Sequence, residues 1–102
     1  MSAFIKAAAV SEIPPGQAKC VEVQGLSIAL FNAGGTFYAI DNSCTHVGGA
    51  LSEGFVEGEE VGCPWHGARF NIKTGAVLSG PAAADVASYK VRVNGSDVEI
   101  EV

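Results

Sequence analysis

The sequence is poor in charge, in histidine and in cysteine. Charged residues fill 17% of its 102 positions, six basic against eleven acidic, for a formal net charge of −5. So few cations cannot neutralise a run of phosphates, which excludes nucleic acid as a partner. No apolar run approaches the roughly 20 residues of a membrane-spanning helix. Residues 1–6 lack the basic head and long apolar core of a secretory signal. A cytoplasmic protein with no membrane association is expected. In that reducing setting three cysteines do not make a disulfide framework, so metal binding is the better reading of any that lie near histidine. There is no Gly-X-Gly-X-X-Gly fingerprint, no nucleophile beside a base, and no segment with a sustained helical period, although residues 82–87 have the composition for one turn. Catalysis on a substrate of its own is not expected.

What remains is a chain of 48% hydrophobic residues, the size of one domain, broken at short intervals by glycine. Apolar runs with turn signals between them predict an all-β fold. Residues 4–10 form the first candidate strand, and Ser11-Glu12-Ile13-Pro14-Pro15-Gly16 a turn. Ala18–Val23 follows with Val21 and Val23 on one face, then a turn at Gly25. Residues 26–31 have the apolar density of a strand buried on both sides. Asn32-Ala33-Gly34-Gly35 reads as the turn into a strand at 36–40. Phe55-Val56 and Glu60-Val61 make a small hairpin around Glu57-Gly58-Glu59. Residues 69–72 alternate as a strand, Lys73-Thr74-Gly75 turns, Ala76-Val77-Leu78 follows, and residues 79–84 form a loop. Tyr89, Val91 and Val93 lead to a turn at Asn94-Gly95, from which Val98, Ile100 and Val102 return.

Chemistry concentrates in one stretch. Cys44-Thr45-His46 is followed by sixteen residues, 47–62, and then by Cys63-Pro64-Trp65-His66. Both histidines and two of the three cysteines lie here, with Gly48 and Gly49 after the first pair and Gly67 after the second. Thiolate and imidazole together suit zinc or iron. In common zinc fingers the cysteines come as one pair and the histidines as another on a helix. Here each loop supplies one of each, and Pro64 and Gly67 oppose a helix. Glycines let backbone amides approach bridging sulfides without a Cβ in the way.

Cys-X-His, sixteen residues and Cys-X-X-His, with glycine after each pair, resembles the Rieske [2Fe–2S] motif, in which two histidines replace two cysteines on one iron. The likeness extends over nearly the whole chain, including the Ser79-Gly80-Pro81 loop, to the small Rieske-type ferredoxins. It implies an antiparallel β sandwich over residues 1–102, with a small cluster-binding subdomain, about 42–80, formed by two loops. It implies Cys44 and Cys63 on the inner iron of one [2Fe–2S] cluster and His46 and His66 on the outer one, with the Gly80-Pro81 loop covering a third side. By the same likeness the chain is a monomeric one-electron carrier, running from a flavin-containing ferredoxin reductase to a terminal oxygenase. A small subunit of a larger complex such as nitrite reductase, and a zinc-stabilised interaction module, are the rivals. Members with high potentials keep an extra cysteine in each loop, and a serine and a tyrosine that donate to cluster sulfur. Gly49, Trp65, Ala68 and Phe70 stand at those places, which implies a low potential.

Around this core, Cys20 is expected to be an incidental thiol facing away from Val21 and Val23, and Trp65 a shield against water. Arg69 reads as a solvated strand charge. Glu53, Glu57, Glu59 and Glu60 offer either a solvated hairpin or an acidic docking face.

Overall fold

The central strand of the molecule is apolar on both of its faces, and the fold is built outward from it. The structure, a computed structural model, describes residues 3–42, 51–62, 69–79 and 85–102. Within them lie eleven strands: β1 (Phe4–Ala9), β2 (Ala18–Val23), β3 (Leu26–Ala33), β4 (Thr36–Asp41), β5 (Phe55–Glu57), β6 (Glu60–Gly62), β7 (Arg69–Asn71), β8 (Val77–Ser79), β9 (Ser88–Tyr89), β10 (Val91–Asn94) and β11 (Asp97–Glu101). They form three sheets, in the orders β1-β11-β10, β2-β3-β4-β9 and β5-β6-β7-β8, and every paired neighbour is antiparallel.

The middle sheet separates two cores. Successive side chains of a strand point to opposite faces. On β3, Ile28 and Leu30 therefore join Val21, Val23, Phe37, Ala39, Val98 and Ile100 in one core. Ala29 and Phe31 face the other way, toward Ile40, Leu51, Val61, Phe70, Ile72 and Val86. Residues 28–31 of β3 are consequently all buried, as their apolar run implies, whereas Leu26 and Ser27 at the start of the strand are exposed. The first core closes a sandwich between the three-stranded sheet and the middle one. The second seats the β5–β8 sheet on the far side. The part expected to bind a cluster, about residues 42–80, thus contains the β5–β8 sheet besides its two loops.

Turn chemistry fixes the hairpin ends. Gln24 at φ 50° and Gly25 at φ 80° connect β2 to β3, the paired positive values of a hairpin turn with right-handed strand twist. Gly34 and Gly35 do the same between β3 and β4.

Four expectations shift. Asn32 is not a turn residue but a buried strand residue, 4% exposed, because its amide side chain is consumed internally: Nδ2 donates to the Ile13 carbonyl at 2.7 Å and Oδ1 accepts from the Gly35 amide at 2.7 Å. The C-terminal turn lies at Gly95-Ser96 rather than Asn94-Gly95, since Asn94 pairs with Asp97 and Gly95 takes the positive φ of 64°. That slides the pairing by two residues, which preserves the alternation of faces. Ile72 leaves the strand but stays fully buried, as Lys73 and Thr74 amides donate to Asn71 Oδ1 and start the turn early. Short 3-10 turns occur at Val10–Glu12, where Val10 is expected to end the first strand and Ser11 to begin a turn, and at Leu51–Glu53; of the helical turn considered for 82–87, residues 85–87 are non-helical and the rest lie outside the described residues.

Candidate metal centre

Three connections leave the sheets at one end of the molecule, and their stems are tied to one another. The first runs from β4 to the Leu51–Glu53 turn across 43–50, the second from β6 to β7 across 63–68, the third from β8 to Asp85 across 80–84. Cys44 and His46 belong to the first, Cys63 and His66 to the second, and Gly80 and Pro81 to the third. All of these, with Gly48, Gly49, Trp65, Gly67 and Ala68, lie outside the described residues.

Strand pairing places the second and third stems side by side, because Arg69 lies opposite Gly62 on one flank and Ser79 on the other. The return of the first connection reaches the same point. A Cβ on Gly54 would collide with the Gly62 carbonyl oxygen and press on that of Leu51, so only glycine lets the turn after Leu51 close against the residue before Cys63. Asp85 fastens the third stem: its Oδ1 accepts from the Val77 amide at 2.8 Å, while the Val86 amide donates to the Gly75 carbonyl at 2.9 Å. Gly75, at φ 79° and against the Val86 carbonyl, has no room for a side chain either.

Asp41 and Asn42 complete the arrangement at the start of the first connection. The Asp41 amide donates to the Ala87 carbonyl at 2.9 Å, and its carboxylate accepts from the Ala87 amide at 3.2 Å and from the Tyr89 hydroxyl at 2.6 Å. Asn42 is buried and bonded on both sides of the loop it precedes. Partial burial, then the Asp41 carboxylate, push the Tyr89 phenol up to about 12 from its ordinary 10.0. A folded-state value above the unfolded one adds stability that is complete below pH 10 and fades as the pH climbs toward 12. Chemical denaturation should therefore show the native protein losing stability across that interval, and Tyr89→Phe losing less of it.

The interior beneath these stems is apolar: Leu51, Val61, Phe70, Ile72 and Val86 are all buried. No charged side chain among the described residues lies in it. Such a low-dielectric bed suits a cofactor with no net charge. Two ferric ions, two sulfides and two thiolates sum to zero, and neutral imidazoles add nothing. A donor set of Cys44, Cys63, His46 and His66 on two stems that touch fits this cofactor. No group of three or more His, Cys, Asp or Glu side chains among the described residues gathers to hold another metal.

The model of the Rieske [2Fe-2S] domain matches residues 3–90. The chain belongs to the Rieske [2Fe–2S] family. It carries the one [2Fe–2S] cluster of that domain and is of the ferredoxin type, an electron carrier rather than a catalyst. The naphthalene 1,2-dioxygenase system ferredoxin component of Pseudomonas aeruginosa is 40% identical over 99 residues, covering 97% of this chain and 95% of the relative. The 3-phenylpropionate/cinnamic acid dioxygenase ferredoxin subunit of Shigella boydii is 42% identical over 99 residues, covering 96% and 92%. The solved ferredoxin of carbazole 1,9a-dioxygenase from Nocardioides aromaticivorans superimposes with a TM-score of 0.90 at 30% identity, covering 95% of each chain. The all-β Rieske fold expected from the motif is therefore the fold observed.

Surroundings of this Rieske centre differ in two respects from the sequence reading. Arg69 is not merely solvated: it pairs with Glu60 at 2.9 Å and reaches Glu57 at 3.8 Å, clamping the β5–β6 hairpin to β7. Cys20 is exposed, as expected, but it meets Ser27 Oγ and Asn42 Nδ2, each at 3.4 Å, beside the first stem. Asp41, Asn42, Gly54 and Asp85 were not singled out by sequence. Their only signal is local, polar or glycine residues flanking the ligand loops, which many solvated loops share.

Proposed function

We propose that this chain moves one electron at a time from a flavin-containing ferredoxin reductase to a terminal oxygenase, as a cytoplasmic monomer, with Cys44, His46, Cys63 and His66 holding the cluster. The observation that carries the reading is the meeting of the stems of both Cys/His loops over an apolar bed, in a chain that matches dioxygenase ferredoxin components over nearly their full length. When bound, the cluster supplies a site that accepts and releases a single electron. The chain's own residues hold it at one end of the molecule and keep its inner side dry. Consistent with a cytoplasmic carrier, no helix among the described residues is long and apolar enough to cross a membrane.

Phe70 supports a low potential. It is fully buried and offers no hydroxyl to the cluster's sulfur, where a donor would favour the reduced, more negative state. Electron paramagnetic resonance of the reduced protein, combined with a potentiometric titration, tests cluster and potential together. The expected midpoint is negative, toward the roughly −150 mV floor of the Rieske range. A midpoint above zero overturns this reading.

The acidic hairpin enters as the docking element for the partner. Glu60 is held by Arg69, whereas the Glu57 side chain is 85% exposed and only loosely paired, and Glu53 and Glu59 are exposed. Reversing the charge at Glu57 and Glu59 together should slow reduction by the reductase about tenfold at low salt, with the difference closing as salt is raised. Equal rates at low salt would leave these residues as ordinary surface charge.

A further inference from the structure

Among the described residues two asparagines are buried, one at each end of the β3–β4 pair, and of the two it is Asn42 that bonds to the residues at the exit of a ligand loop. Asn32, 4% exposed, bonds to Ile13 and Gly35 at the end far from the metal centre. Asn42, 9% exposed, sits two residues before Cys44. Its carbonyl accepts from the Leu51 amide at 2.6 Å, and its Oδ1 accepts from the Ser52 amide at 2.9 Å. Its own amide donates to the Ser27 carbonyl at 3.1 Å, and Nδ2 donates to Ser27 Oγ and Cys20 Sγ, each at 3.4 Å.

Asn42 therefore joins three things with one residue: the entry of the 43–50 connection, its exit, and the β2–β3 hairpin. The Oδ1 bond does a particular job. It satisfies an amide at the start of the Leu51–Glu53 turn, which has no partner within the turn itself. Eight residues intervene between the two stems, and among the described residues the Leu51–Asn42 backbone bond is the other hydrogen bond that joins the two ends. Neighbouring Asp41 ties the same entry to Ala87 and Tyr89 beyond the third connection.

We infer that Asn42 is a positioning residue for the iron–sulfur cluster: by clasping both ends of the 43–50 connection it sets how firmly Cys44 and His46 hold their irons. This rests on the ligand assignment made above. Outer contacts of this kind commonly change metal retention by about 10–100-fold when removed. Loss of a buried hydrogen-bond partner also lowers global stability at either asparagine, so stability alone cannot distinguish a clasp from a structural residue. Retention relative to stability can.

The test compares Asn42→Ala, Asn42→Asp and Asn32→Ala in the full-length protein with its cluster. The measurements are iron transfer to a chelator, followed by loss of visible absorbance, denaturant midpoint, and the electron paramagnetic resonance line positions of the reduced state. Asn42→Ala is expected to release iron at least tenfold faster than wild type and to shift the resonance lines. Asn32→Ala, with a comparable fall in denaturant midpoint, should leave both near wild type. Asn42→Asp should restore slow release, because a carboxylate still accepts from Ser52 while the Ser27 hydroxyl and Cys20 thiol turn to donate. If Asn42→Ala does not fold, Asn42→Ser replaces it, with faster release than wild type as the expected result. Matching release rates for Asn42→Ala and Asn32→Ala, or unshifted lines with no rescue by Asn42→Asp, would overturn the inference while leaving the ligand assignment intact. Substitution of Cys44 or His46 that leaves the spectrum of the native cluster unchanged would overturn the assignment and the inference together.

Discussion

Replacing His46 and His66 together by cysteine should lower the midpoint potential by about 250 mV or more, the gap between the low end of the Rieske range and four-cysteine plant-type clusters. The reason is charge. With two thiolates and two imidazoles the oxidised cluster is neutral, and reduction makes it a monoanion. With four thiolates it begins as a dianion, and the added electron must overcome that charge. In the apolar bed formed by Leu51, Val61, Phe70, Ile72 and Val86 such a difference is weakly screened. One further consequence follows. The resonance signature of a histidine-bound iron should disappear. A titration of the double variant within 50 mV of wild type, with the cluster present, would show that these histidines are not the outer ligands.

Phe70→Ala is the substitution expected to damage the structure most. Phe70 is fully buried at the centre of β7, between β6 and β8, and packs in the same core as Phe31, Ile40 and Leu51. Removing a ring from such a site typically costs about 3–5 kcal/mol, through lost burial and the cavity left behind. That is a large share of the roughly 5–15 kcal/mol available to a small domain. The loss would fall unevenly. Phe70 belongs to the core that seats the β5–β8 sheet, not to the sandwich core of Ile28, Leu30, Val98 and Ile100. Hydrogen exchange should therefore show protection lost first in β5 to β8, and cluster loss should accompany it because the second and third stems leave from that sheet. A fall in the urea midpoint equivalent to less than 1 kcal/mol would mean that the second core is not packed as described.

The sequence by itself determined the cofactor and the position of most strands along the chain. Ligands of fixed type at fixed spacing, with glycine beside each pair, are a local chemical pattern and can be read without coordinates. The apolar run within 26–31 is equally local, and over residues 28–31 it carried the two-sided burial of β3 with it, since side chains that are all apolar leave neither face for water. Alternation placed Cys20 outside for the same reason. Tertiary structure decided what depends on partners distant in the chain. Asn32 looks like a turn residue until the Ile13 carbonyl, nineteen positions away, claims its amide and buries it. Arg69 looks solvated until the β5–β6 hairpin brings Glu57 and Glu60 alongside. Gly54 looks like any loop glycine until the Gly62 carbonyl occupies the place of its Cβ. The stems of the metal centre are held by contacts of this second kind, between Asp41 and Tyr89, Asn42 and Ser52, Asp85 and Val77. Ligand identity is written in residue type and spacing; the footing of the ligand loops is written in hydrogen bonds between residues that only the folded chain brings together.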